Sequence, residues 1–156
     1  YGMPTEKLYL DPLVLTVNGM QDQAVQTVTA VQMFKQVADP PPKTTCGLSN
    51  VSNGAPRENR PLINQVFMAM MMGAGITSAI ADALDNELVQ VINAIENRDA
   101  STRKGKLYLA LADAMAAGDE FQVELSMLED PETQGIAKTI NILHNRQIYA
   151  HSYLTL

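Results

Sequence analysis

The chain has 156 residues, 46% of them hydrophobic, and 11 Lys+Arg against 17 Asp+Glu give a net charge of -6. This length and mix suit one globular domain and exclude wholesale disorder, collagen-like repeats and a coiled coil. The acidic balance argues against a nucleic-acid partner, the lone Cys46 excludes an internal disulfide or multi-cysteine metal site, and no apolar run reaches the roughly 18 residues that span a bilayer. A reducing, cytoplasmic setting fits these features.

Lys7 to Leu15 (KLYLDPLVL) reads as a short buried strand, with pairing weakened at Asp11-Pro12 because proline has no N–H to donate. From Gln21 to Ala38, Ala24, Val28, Val31, Phe34 and Val37 recur at helical spacing, and Asp39-Pro40-Pro41-Pro42 stops the helix. Lys43 to Leu48 (KTTCGL) is a second strand, running into the polar loop Ser49 to Pro56. Pro61 suits the first turn of a helix reaching about Gly73, with Gly73 and Gly75 closing it. Ile76 to Ala81 is a third strand, and Asn86 to Ile95 is helical. Strand and helix alternate three times, which points to parallel β/α architecture. The polar strand ends Asp11, Ser49-Asn50 and Asp82 should then gather on one face, where such folds build their sites.

The rest has a different character. Glu96 to Lys106 reads as an exposed connection. Helices are expected over Leu107 to Ala117, Phe121 to Leu128 and Thr133 to Asn145. Gln147 to Leu156 could be a strand or an irregular return. Tyr1 stands where an initiator Met is usual, which reads as a processed protein, a trimmed chain or the back part of something longer.

Several residues could carry chemistry. Asp11 can accept two parallel N–H bonds from a guanidine-like edge, or it can simply fix a loop. Asn50 and Asn53, with Ser49 and Ser52, suit a neutral heteroaromatic ligand or ordinary Asx-turn chemistry. The loop lacks both GK[ST] and GxGxxG, so it is no phosphate loop. Cys46 reads as a buried structural thiol. His144 and His151 lack metal-ligand spacing and read as packing or surface residues. Met68, Met70, Met71 and Met72 read as a pliable helix core. Asp82 reads as a site residue or, with slight preference, the cap of the next helix.

LYLDPLVL, then DPPPKTTCGLSNVSNG, RPLIN and SAIADA, in this order and separation, resemble the methyltetrahydrofolate:corrinoid iron–sulfur protein methyltransferases. These belong to the pterin-binding, dihydropteroate-synthase-like superfamily. The resemblance covers Tyr1 to Ile92, with a small insertion around Ala55 to Glu58, and resumes from about Ile136 to the end. It implies the C-terminal portion of a TIM (β/α)8 barrel, about three βα units over 1–156, with a helical insertion at 93–134. It implies that Asp11 holds the aminopyrimidine edge of the pterin and that Asn50 hydrogen-bonds the methyl-bearing nitrogen. It also implies pterin contacts from Gly47 and Ser49, an apolar contact from Ile80, and Arg60 near the folate tail. Asn53 stands where the family has Gln, so its reach is shorter by one methylene.

The chemistry implied is transfer of the methyl group of methyltetrahydrofolate to cobalt(I) of a corrinoid held by a partner, the corrinoid iron–sulfur protein. A methyl on a tertiary amine leaves poorly, because the departing nitrogen takes negative charge; a hydrogen bond there, such as Asn50 can donate, stabilises it. The chain is expected to bind no metal itself. A TIM barrel typically needs about 250 residues, so the chain is expected to be a fragment, inactive alone, that pairs with a missing N-terminal part or self-associates. Alternatives are a methyltransferase serving another corrinoid protein, in methylamine or aryl-ether demethylation, or a non-catalytic half-barrel binding module. Dihydropteroate synthase is disfavoured by the missing RxH motif, and cobalamin-dependent methionine synthase by the absence of zinc ligands for homocysteine.

Overall fold

A computed structural model describes residues 2–155. Tyr1, at the head of the resemblance, and Leu156, at the end of the tail, lie outside the described residues.

The first strand is much shorter than its apolar run. A 3-10 turn takes Thr5–Lys7, and β1 covers only Tyr9–Leu10 before Asp11-Pro12 breaks the ladder. The short helical piece α1 (Val17–Met20) leads into α2 (Asp22–Phe34). Helix α2 ends one turn before the expected Ala38, and Val37 is left 62% exposed. Strand β2 is Lys43–Gly47, followed by a 3-10 turn at Leu48–Ser52. Helix α3 (Arg60–Ala74) starts with Pro61 in its first turn and ends at Gly75, whose φ of 86° is the left-handed cap that glycine adopts without penalty. Strand β3 is Ser78–Ile80, shorter than the expected 76–81.

The strands pair in parallel in the order β1-β2-β3, with Leu10 beside Thr44 and Gly47 beside Ile80. All three therefore end on the same side. Thr44, Cys46 and Leu48 alternate onto a buried face, while Tyr9 (54% exposed) and Ile80 (76% exposed) lie open. Lys43 Nζ sits 5.4 Å from the Tyr9 ring centre, on that open side. Parallel sheets are normally covered on both faces. What the structure describes is an open α/β sheet covered on one.

Helices α4 (Asn86–Glu96), α5 (Arg103–Ala117), α6 (Leu125–Glu129) and α7 (Gln134–Leu143) complete the chain. Helix α5 begins four residues before the expected Leu107, because the Thr102 side chain accepts the Gly105 N–H and caps it there. The connection is correspondingly shorter than 96–106. The helix expected over Phe121 to Leu128 is confined to α6, and the tail forms turns rather than a strand. Leu107, Tyr108, Leu111 and Met115 of α5 join the same core as Phe67, Met70 and Met71 of α3. Gly73, expected to end α3, lies inside it: a Cβ there would stand 2.2 Å from the Ala112 carbonyl oxygen. It is the point where α3 and α5 come together. The methionines behave as expected, with Met68, Met70 and Met71 buried.

Candidate functional site

The carboxyl ends of β1, β2 and β3 carry the residues singled out above. Asp11 directly follows β1 and is exposed; its Oδ1 accepts the Leu13 N–H at 2.9 Å. One carboxylate oxygen thus shapes the turn, and Oδ2 has no hydrogen-bond partner among the described residues. Leu13 itself has a φ of 60°, a conformation leucine seldom takes, and is 66% exposed. Asp82 after β3 makes the same turn, accepting the Leu84 N–H at 2.9 Å. The preference for Asp82 as a helix cap is overturned: Asp85 caps α4, accepting the Leu88 N–H at 3.0 Å.

At the end of β2, Gly47 has φ -85°, which any residue can adopt, so its glycine serves space rather than conformation. A Cβ there would come within 3.3 Å of Asn50 Nδ2. The Asn50 carboxamide therefore lies against the bare Cα of Gly47, beside Ile80 on the neighbouring strand. Asn50 is exposed, and its side chain bonds to no protein group among the described residues. The 3-10 turn holds it there: the Asn53 N–H donates to the Asn50 carbonyl at 3.2 Å and the Ser52 hydroxyl to the Ser49 carbonyl at 3.2 Å. Ser49 is exposed on this turn, while Ser52 is buried and structural.

Asn53 and Arg60 stand at the rim. The Asn53 carbonyl accepts a short hydrogen bond from the Thr16 hydroxyl, tying the loops after β1 and β2 together. Arg60 Nε donates to the Ala55 carbonyl at 2.7 Å, which leaves its terminal nitrogens for other partners. Asp11, Gly47, Ser49, Asn50 and Ile80 thus share one end of the sheet, with Asn53 and Arg60 one loop further out.

Three rim residues were not legible as such. Gln21 Nε2 donates to Asn145 Oδ1 and to the Gln147 carbonyl, both at 2.9 Å, and its Oε1 accepts the Tyr149 N–H at 2.6 Å. Asn59, buried at the start of α3, donates to the His151 carbonyl at 2.7 Å. With Thr16, they fasten the C-terminal tail and the loops around the strand ends. Polar residues in turn-rich segments carry no periodic signal, so only their partners reveal them.

Cys46 faces the buried side of β2. Burial first, and the Asp11 charge second, push its thiol up to about 11. Its thiol should therefore resist disulfide reagents at about pH 8 in the folded protein and react promptly in denaturant. Fast labelling of the native protein would contradict this placement. His144 is half-buried and held down to about 4, mainly by desolvation and then by Arg146, which marks it as a packing residue; His151 is exposed. Among the described residues no group of His, Cys, Asp or Glu could hold a metal, and no helix is long and apolar enough to cross a membrane.

No family profile matches the chain. It is similar to part of the methionine synthase of Mycobacterium tuberculosis, 31% identical over 87 residues that are 53% of this chain and 7% of that protein. The methionine synthase of Mycobacterium leprae gives the same identity and coverage. The methylcorrinoid:tetrahydrofolate methyltransferase of Eubacterium limosum is 26% identical over 96 residues, 62% of this chain and 34% of that protein. The chain thus spans about a third or less of the curated relatives it matches. Because only 7% of the methionine synthase is matched, the lack of zinc ligands in this chain does not weigh against that likeness.

Proposed function

We propose that this chain provides the strand-end face on which a corrinoid-linked methyltransferase binds methyltetrahydrofolate. The observation that supports it most is the Asn50 carboxamide, without a hydrogen-bond partner among the described residues and seated over Gly47, at the same sheet end as Asp11 Oδ2. The similarity to a methylcorrinoid:tetrahydrofolate methyltransferase supports the same chemistry.

In this reading Asp11 accepts paired N–H donors from the pterin's aminopyrimidine edge, a charge-assisted contact with fixed geometry. Gly47, Ser49 and Ile80 bound the ring, and Arg60 attracts the anionic folate tail. Asn50 donates to the methyl-bearing nitrogen and stabilises charge developing there. The corrinoid, carried by a partner protein, supplies the nucleophilic cobalt(I). This chain positions the methyl group and activates its donor nitrogen.

For the acceptor, the sequence resemblance implies a corrinoid iron–sulfur protein. The likeness to the Eubacterium limosum enzyme favours the alternative of another corrinoid carrier. The open sheet face and the free edges of β1 and β3 suit completion by further βα units of a (β/α)8 barrel, or by a second copy. We read 93–134 as a helical insertion into that barrel that remodels corrinoid-protein docking.

The direct test is Asp11→Asn. Asparagine keeps an oxygen for the Leu13 N–H, so the turn survives while the charge is lost. The dissociation constant for methyltetrahydrofolate should rise about tenfold or more, since hydrogen bonds to charged groups contribute about 1.5–3 kcal/mol. An unchanged constant in the full-length protein would reject the contact.

A further inference from the structure

A second site lies away from the strand ends, among the helices. Between α3, α4 and the first turns of α5 and α7 is a cavity of about 370 Å³. Its floor is polar and buried: Gln65 is 4% exposed and Tyr108 3%. The Tyr108 hydroxyl donates to Gln65 Oε1 at 3.3 Å, and Gln65 Nε2 donates to Glu87 Oε2 at 3.3 Å. Each proton in this chain points towards Glu87. Burial, and then the Glu87 charge, hold the Tyr108 hydroxyl well above its ordinary range, so it keeps the proton it donates to Gln65.

A chain polarised in this way ends on an acceptor. Glu87 and Glu132, both exposed, are the two acidic residues of the lining, and the Gln65 N–H engages only Oε2 of Glu87. Neither carboxylate is in an ion pair among the described residues. Val91, Ala94 and Ile136 supply an apolar wall, and Lys104 is exposed in the lining. A ligand suited to this set brings donors and positive charge at one end and hydrocarbon at the other.

We propose that this cavity binds a small molecule carrying a primary ammonium group on an aliphatic body. The ammonium meets Glu87 and Glu132, and the aliphatic part lies on Val91, Ala94 and Ile136. A free amino acid and a plain alkylamine share this chemistry; the former would also place its carboxylate on Lys104. The site is separate from the folate face and does not depend on it.

Calorimetric titration of the full-length protein with n-pentylamine, norleucine and pentanoate tests the proposal. Pentylamine, norleucine or both should bind, pentanoate should not, and Glu87→Gln should weaken binding about tenfold or more. Glu87→Gln keeps an acceptor for Gln65, and Glu132→Gln, at an exposed position, gives a second variant should the first fold poorly. Tighter binding of norleucine identifies amino acids as the source, and tighter binding of pentylamine identifies alkylamines. No binding by either ammonium compound, equal binding by pentanoate, or binding unchanged in both variants would overturn the proposal.

Discussion

Replacing Asn50 by alanine should slow methyl transfer about 10²–10³-fold, the loss typical of removing one donor aimed at developing charge. Stability should change by no more than about 0.5 kcal/mol, as for surface substitutions away from structural features. Both expectations follow from the same geometry. The carboxamide is exposed and lies over Gly47, while the turn is held by the backbone carbonyls of Ser49 and Asn50, which alanine retains. Folate affinity should fall much less than the rate, because the bond strengthens as the nitrogen takes up charge. Single-turnover transfer in the full-length protein separates the two quantities. An unchanged rate removes Asn50 from the reaction, whereas a loss of rate accompanied by a large drop in melting temperature would assign it to the fold.

Gly73→Ala should destabilise the protein by about 2 kcal/mol, against the usual gain of about 1 kcal/mol for replacing a helical glycine by alanine. The added Cβ would meet the Ala112 carbonyl oxygen at 2.2 Å, Met115 Cβ at 2.7 Å and the Ala112 carbonyl carbon at 2.9 Å. Two of these atoms are backbone and cannot swing aside, so α3 and α5 must separate, and the overpacking term exceeds the propensity term. At this chain length the melting temperature should fall by roughly 4–8 °C. A rise would mean that α5 does not rest on α3. The result also bears on 93–134: the structure packs its main helix into the core, so this segment contributes to stability whatever it does at a docking surface.

The strand–helix alternation was legible because its signals are local. Apolar spacing marks α2, the proline run stops it, and Pro61 sets the start of α3. The strand ends followed, and with them the grouping of Asp11, Ser49-Asn50 and Asp82; Ile80 joined them only through the family resemblance. Extent was less legible. Apolar runs do not tell a two-residue strand from a longer one when the ladder is cut by a missing N–H, as at Pro12. Gly73 was read as a helix stop because a glycine's local signal is the same whether it ends a helix or admits a neighbouring backbone. Asp82 and Asp85 are three residues apart with the same side chain, and only the hydrogen bonds show which one caps α4. The fastening of the tail by Gln21 and Asn59 joins residues about 90 to 130 positions apart and leaves no pattern in either segment.

The central claim is that the strand-end face moves a methyl group between tetrahydrofolate and a corrinoid. Its most direct test is to mix the full-length protein with methyltetrahydrofolate and a reduced corrinoid protein, and to follow cobalt absorption under anaerobic conditions. The account predicts loss of the cobalt(I) band at a rate proportional to the protein added. Persistence of that band, with the same corrinoid protein competent towards an independent methyl donor and with the folate demonstrably bound, would contradict it.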